Sequence, residues 1–128
     1  MDLYSEIILD HYRHPRHRGS LPRPSAHIVQ HNPLCGDIVK LDISVKEGKV
    51  ADARFLGAGC AISQAATSLL LDSIQGKSIG SIEKLTQQDA ADLLGIPVSK
   101  AREQCAQLGL TALQKAITIF KQKRKQKR

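Results

Sequence analysis

The sequence predicts an α+β domain in which helices pack on one face of a small antiparallel three-stranded sheet and a long helix ends the chain. Residues 38–46 alternate between apolar and polar side chains, which is the period of a half-buried strand. Residues 61–75 are rich in Ala, Leu and Ile, as helices often are. Strand-like segments come mainly before helix-like segments, and this order is typical of α+β domains.

The N-terminal half is predicted to hold one helix and the whole sheet. Asp2 can cap the first helix, and Pro15 ends it. A basic loop with one glycine and two prolines follows, up to residue 24. Glu47-Gly48 supplies a tight hairpin turn in the sheet. The three predicted strands are 27–31, 38–46 and 50–56.

The C-terminal half is predicted to be helical. The helix over 61–75 stops at Gly76, which can adopt the left-handed conformation of a helix end. A weaker helical pattern covers 81–94. The last helix begins near Ser99 and has apolar side chains at helical spacing, which are Ala101, Cys105, Leu108, Ala112, Ala116 and Ile119.

Length and composition indicate one domain, residues 1–120, followed by a basic tail, residues 121–128. The 128 residues are 41% apolar, which is enough for one hydrophobic core. Six of the last eight residues are Lys or Arg, so the net charge of +7 falls to +1 for the rest of the chain. We predict that the tail is frayed or disordered. A nearly neutral body with few aromatic side chains argues against nucleic acid as a partner.

The chain shows no signal peptide, since its first residues are acidic, and no apolar run of the roughly 18 residues that a membrane span needs. We therefore expect a cytoplasmic protein that does not bind membranes. Thiols stay reduced in that compartment, so a cysteine is more often a metal ligand or a nucleophile than part of a disulfide.

The three cysteines lie where separate elements can meet. Cys35 falls in a Pro/Gly loop with Asp37 two residues later, Cys60 opens a helix, and Cys105 lies in the last helix. Three thiolates and one carboxylate can ligate Zn²⁺ or a [2Fe–2S] cluster. The spacing matches no zinc finger, so two other interpretations stay open. Each cysteine could be a small buried apolar residue, or the site could be a purely structural metal site.

Two other patterns are excluded as functional sites. Gly57-Ala58-Gly59 lies between a strand and a helix, but Ile62 stands where a dinucleotide-binding fingerprint needs its third glycine. His11, His14 and His17 are spaced by three residues, but Pro15 interrupts their common helical face. We interpret this histidine-containing segment as a solvated basic loop that meets a partner.

Each cysteine lies in a distinct segment, and the three segments are Asn32-Pro33-Leu34-Cys35-Gly36-Asp37, Phe55-Leu56-Gly57-Ala58-Gly59-Cys60-Ala61-Ile62-Ser63 and Arg102-Glu103-Gln104-Cys105-Ala106. They resemble the signatures of the IscU/SufU/NifU N-terminal-domain family of iron–sulfur cluster assembly scaffold proteins. The opening segment, with its Tyr and His-Pro-Arg residues, is also similar to that family, so the resemblance covers the chain up to the basic tail.

The last motif is nearer to the SufU branch of that family. Arg102 is similar to SufU, and Gln104 stands where IscU proteins have a histidine. The interval from Cys60 to Cys105, however, lacks the insertion typical of SufU and is closer to IscU in length. The Leu-Pro-Pro-Val-Lys motif of IscU is also absent.

The resemblance implies a function in iron–sulfur cluster assembly. It implies that Cys35, Asp37, Cys60 and Cys105 bind Zn²⁺ in the resting form and a transient [2Fe–2S] cluster or iron. The implied partners are a cysteine desulfurase similar to SufS or IscS and downstream apo iron–sulfur proteins. We expect a monomer or weak dimer that acts as a scaffold or sulfur acceptor rather than as a typical enzyme.

Cys35 is the predicted persulfide acceptor, because a loop reaches a partner more readily than a helix does. The alternative function is a zinc-binding structural or interaction module without sulfur transfer.

Overall fold

The computed structural model describes residues 3–32, 36–95 and 100–126. It confirms the α+β class, with a three-stranded antiparallel sheet and a long C-terminal helix. In chain order the elements are α1 (Leu3–Arg13), β1 (Ala26–Asn32), β2 (Asp37–Lys46), β3 (Lys49–Ala58), α2 (Ala61–Ile74), α3 (Ile79–Glu83), α4 (Gln87–Asp92) and α5 (Lys100–Gln126).

The sheet has the strand order β1-β2-β3. The predicted alternation of β2 is confirmed in part, because Val45 is only partly buried and the polar Asp42 is buried as well. Val39, Leu41 and Ile43 of β2 are buried on one face. Glu47 and Gly48 form the hairpin turn with φ of 54° and 76°. Two successive positive φ values match the right-handed twist of the strands, so the hairpin can close with two residues.

The helices pack against that buried face. α5 lies against β1 and β2, while α2 lies against β3 and α5. The predicted apolar stripe of α5 is buried from Cys105 to Ala116, and Ile119 is partly buried. Burying each large aliphatic side chain contributes about 1.5–3 kcal/mol, so the sheet–helix interface is the main source of stability.

The single helical stretch predicted over 81–94 is wrong, because the chain forms two short helices there. Thr86 begins α4 with a capping box: its hydroxyl accepts the Asp89 N–H at 3.1 Å, and the Asp89 carboxylate accepts the Thr86 N–H at 2.8 Å. These bonds satisfy N–H groups at the start of a new helix. Thr86 therefore adopts an extended conformation, with ψ of 166°, and separates α3 from α4.

The long helix α5 continues to Gln126 and so includes most of the basic tail. Lys121 Nζ donates to both Glu83 carboxylate oxygens, at 2.8 and 2.9 Å. An exposed ion pair of this kind contributes at most about 1 kcal/mol, which is too little to hold the end of the helix by itself. Fraying of the tail therefore stays a prediction. The predicted caps Asp2 and Ser99 lie outside the described residues. None of the described helices combines the length and the apolar character needed to cross a membrane.

α1 is held on α2 by hydrogen bonds that meet at Ser68. The Ser68 Oγ accepts the Arg16 backbone N–H at 2.9 Å and lies 2.7 Å from His11 Nδ1. The hydroxyl hydrogen can then be donated to Nδ1, which requires a neutral imidazole. Burial lowers the pKa of His11 from its ordinary value of 6.5; Arg16 lowers it further, while Asp10 and Asp72 raise it.

We expect the free energy of unfolding to fall as the pH drops below the ordinary histidine pKa of 6.5. The unfolded chain takes up a proton on His11 at a higher pH than the folded chain does, so protonation favours unfolding. The stabilisation that neutral His11 contributes is fully present above that pH. It is lost as the pH falls toward the lower pKa that His11 has in the folded chain. Denaturant titrations on both sides of pH 6.5 should show a shallower pH dependence for His11→Gln. His31→Gln, at an exposed position, is the control, and an unchanged slope in His11→Gln would contradict this assignment.

Candidate metal centre

Cys60 is placed by the start of α2. Its backbone is extended, with φ of −74° and ψ of 164°, and its side chain takes the N-cap position. The Ser63 N–H donates to Cys60 Sγ at 3.5 Å. The Cys60 sulfur therefore lies at the N-terminal end of the α2 dipole, within reach of a backbone N–H. Cys60 is also partly exposed, so the site opens to solvent on this side.

Asp37 is the first residue of β2, and it is 2% exposed. Ile38 pairs with Ala58 of β3, which brings the Asp37 carboxylate to the end of β3 where α2 starts. Asp37 Oδ1 accepts the Cys60 backbone N–H at 3.1 Å, and Oδ2 lies 3.9 Å from Cys60 Sγ. A buried carboxylate is costly unless it is hydrogen-bonded or ligates a cation, and Asp37 finds its polar partners at Cys60.

Cys105 approaches the same point from α5. It is 2% exposed and lies on the face of α5 that packs against α2 and the sheet. A carboxylate oxygen of Asp37 and the Sγ atoms of Cys60 and Cys105 all lie within 4.8 Å of one another. Donors on a tetrahedral zinc lie about 3.5–3.8 Å apart, so small side-chain rotations are enough to close this set around an ion. Two sulfurs and one carboxylate oxygen fit Zn²⁺ or iron.

Comparison with known proteins decides the family. The sequence profile of the NifU-like N-terminal domain matches residues 3–127. This chain belongs to that family. The membership confirms the resemblance seen in the three cysteine motifs. The match to the family covers nearly the whole chain rather than the motifs alone.

Relatives of this NifU-like domain carry two kinds of name. The iron–sulfur cluster assembly scaffold protein IscU of Escherichia coli K12 is 36% identical over 128 residues, which are 97% of this chain and 98% of that protein. The zinc-dependent sulfurtransferase SufU of Bacillus subtilis is 33% identical over 132 residues, covering 90% and 89%. A crystal structure of the N-terminal part of a NifU-like protein from Brucella abortus has the same fold, with a TM-score of 0.78, 23% identity and coverage of 94% and 96%.

The structure brings together three of the four predicted ligands of this NifU-like domain. The fourth, Cys35, lies outside the described residues, so its place at the site stays a prediction. The next residues in the chain are described: the Gly36 N–H donates to the Asn32 carbonyl at 2.8 Å, and Asn32 pairs with Asp37. Gln104, which stands where IscU proteins have histidine, is exposed.

The histidines near the N-terminus do not form a site with one another. His11 faces Ser68, and His17 Nε2 lies 3.1 Å from Asp72 Oδ1. Both side chains connect the N-terminal segment to α2.

Two glycines shape the site of this NifU-like domain: Gly59, whose Gly-Ala-Gly segment is excluded above as a dinucleotide-binding fingerprint, and Gly109, which belongs to none of the motifs named above. A Cβ at Gly59 would lie 2.2 Å from Asp37 Oδ1, and one at Gly109 would lie 2.8 Å from Thr67 Oγ1. Gly59 thus allows the carboxylate to approach the backbone, and Gly109 allows α5 to approach α2. A glycine directly before a cysteine was the available signal for the first, whereas the helix contact has no local signal.

Proposed function

We propose that this NifU-like domain is an iron–sulfur cluster assembly scaffold or zinc-dependent sulfur carrier that accepts persulfide sulfur from a cysteine desulfurase. The observation that carries the proposal is the convergence of Asp37, Cys60 and Cys105 donors within 4.8 Å, from elements far apart in the chain. The Escherichia coli relative, a scaffold protein by name, and the Bacillus subtilis relative, a zinc-dependent sulfurtransferase by name, support the two forms of this function.

The proposed ligand set is Cys35, Asp37, Cys60 and Cys105. Zn²⁺ would be held there in the resting form, bound to the deprotonated thiols. Iron or a [2Fe–2S] cluster would be the cargo. Asp37 is the one hard oxygen donor among soft sulfurs, which favours a site that gives up a sulfur-rich cargo readily.

Cys35 is the proposed sulfur acceptor. Cys105 is 2% exposed within a helix, and Cys60 Sγ caps α2, so neither thiol can move far without a cost to the fold. Cys35 follows β1 and precedes β2 in a segment with proline and glycine. In the transfer, a thiolate attacks the outer sulfur of the partner's persulfide, the partner's S–S bond breaks, and the partner's cysteine leaves as a thiolate.

The partners of this function are a desulfurase similar to SufS or IscS and downstream apo iron–sulfur proteins, with the domain itself a monomer or weak dimer. The domain is a scaffold or sulfur acceptor, and the compartment is the cytoplasm. The exposed part of Cys60 marks the side from which a partner would approach.

Incubation with a cysteine desulfurase and cysteine should add the mass of one sulfur atom to the protein, and peptide mapping under non-reducing conditions should place it on Cys35. Cys35→Ser should lose the adduct, because it keeps the shape of the residue but removes the nucleophile. Cys105→Ser is the comparison. If Cys35→Ser accepts sulfur at the wild-type rate while Cys105→Ser does not, the acceptor is misassigned. If wild type accepts none, the domain is a zinc-binding structural or interaction module.

A further inference from the structure

Gly59 stands directly before Cys60 and has a backbone conformation that other residues rarely adopt. Its φ is 149°, which lies in the region that favours glycine. The space that a side chain would need is already filled. A Cβ built on Gly59 would lie 2.2 Å from Asp37 Oδ1, 2.6 Å from Asp37 Cγ and 3.0 Å from Asp37 Cβ.

The carboxylate in that space has little freedom to move aside. Asp37 is 2% exposed and belongs to β2, whose next residue, Ile38, pairs with Ala58 of β3. Its Oδ1 is bound to the Cys60 N–H at 3.1 Å, and its Oδ2 lies 3.9 Å from Cys60 Sγ. Oδ1 is therefore occupied by a backbone N–H, and Oδ2 is left beside the thiol as the oxygen that can bind a metal.

We propose that Gly59 is a positioning residue of the metal site, whose missing side chain lets Asp37 bind the Cys60 amide through Oδ1 and present Oδ2 as a single ligand oxygen. This inference rests on the proposed function and deepens it. An alanine at position 59 occupies the place of the carboxylate, so Asp37 has to leave the Cys60 amide. The ligand set then loses its oxygen donor although Asp37 is still in the sequence.

The metal-free protein gives the first test. Hydrogen exchange of the Cys60 amide should become faster in Gly59→Ala, to the rate seen in Asp37→Ala, because both changes remove the same acceptor. Gly19→Ala is the matched control. Gly19 has a similar φ of 137°, but a Cβ there would meet no atom within 4 Å, so it carries the backbone strain without the contact. Wild-type exchange of the Cys60 amide in Gly59→Ala would overturn the proposal.

Co²⁺ gives the second test, through the thiolate-to-cobalt absorption and competition with a chelator. Asp37→Ala removes one ligand oxygen, and Gly59→Ala should lower the Co²⁺ affinity by the same factor, at least about 10-fold. The double variant should lose no more than either single variant, because both remove one ligand. If the loss of Co²⁺ affinity in the double variant equals the product of the two single losses, Gly59 acts only on the backbone. That result would overturn the proposal.

The two tests separate the inference from the proposed function. If wild type shows no thiolate-to-cobalt absorption, the metal centre itself is wrong, while exchange of the Cys60 amide still decides whether Gly59 positions Asp37. If wild type binds Co²⁺ and Gly59→Ala binds it equally well, the metal centre stands and the role of Gly59 is wrong.

Discussion

Cys105→Ser should lower the affinity for Zn²⁺ by more than about 100-fold, which exceeds the loss usually caused by changing a residue behind the ligands. The thiolate of Cys105 is one of the donors that converge within 4.8 Å, and a serine hydroxyl stays protonated and is a poor zinc ligand. Serine has nearly the same shape, so the fold should be retained. Chelator competition measures the affinity, and circular dichroism checks the fold.

The neighbouring residue provides the control for Cys105→Ser. Ala106 is also 2% exposed, so Ala106→Ser introduces a hydroxyl at an equally buried position of α5 without touching a proposed ligand. It should destabilise the fold by about 1–2 kcal/mol through the buried polar group and leave Zn²⁺ affinity close to wild type. Equal Zn²⁺ affinity in wild type and Cys105→Ser would assign Cys105 to the apolar core instead.

Gly109→Val should lower the free energy of unfolding by about 2–3 kcal/mol and weaken metal binding as well. A Cβ at Gly109 would lie 2.8 Å from Thr67 Oγ1 and 3.3 Å from the Thr67 Cα, so α5 has to move away from α2. Replacing a helical glycine gains at most about 1 kcal/mol from backbone entropy, whereas overpacking a core typically costs about 1–3 kcal/mol and a β-branched side chain adds to it. Denaturant unfolding measures the change.

Moving α5 away from α2 should also change the geometry of the metal centre. Gly109 lies one helical turn after Cys105, and Thr67 lies two turns after Cys60, so moving α5 from α2 increases the distance between the two sulfurs. Thr67→Ala, which removes the nearest atom, should restore part of the stability that Gly109→Val loses. Gly80→Val is the control, because Gly80 is an exposed residue of the short helix α3 with open space around it, and the change should alter stability by at most about 0.5 kcal/mol. An equal loss in both valine variants would contradict the contact.

Most of the secondary structure follows from local patterns. The alternation of Val39, Leu41 and Ile43 fits only a half-buried strand, and Glu47-Gly48 fits a two-residue turn, so both were predicted. The break between α3 and α4 was missed although it is also local. Thr86 and Asp89 have capping-box spacing, but the weak helical pattern on both sides concealed it.

For the metal centre, the sequence predicts the ligand types, and the tertiary structure is needed for their positions. The sequence by itself determined which side chains could bind metal, because thiolate and carboxylate chemistry belongs to the residue type, and it determined the family through its three cysteine motifs. The tertiary structure decided that Asp37, Cys60 and Cys105 meet, through β2–β3 pairing and the close approach of α2 to α5. It alone also revealed the close contacts at Gly59 and Gly109 and the His11–Ser68 contact. The physical reason is that each depends on the volume or the hydrogen-bonding group of a residue distant in the chain, and packing between distant segments leaves no local pattern.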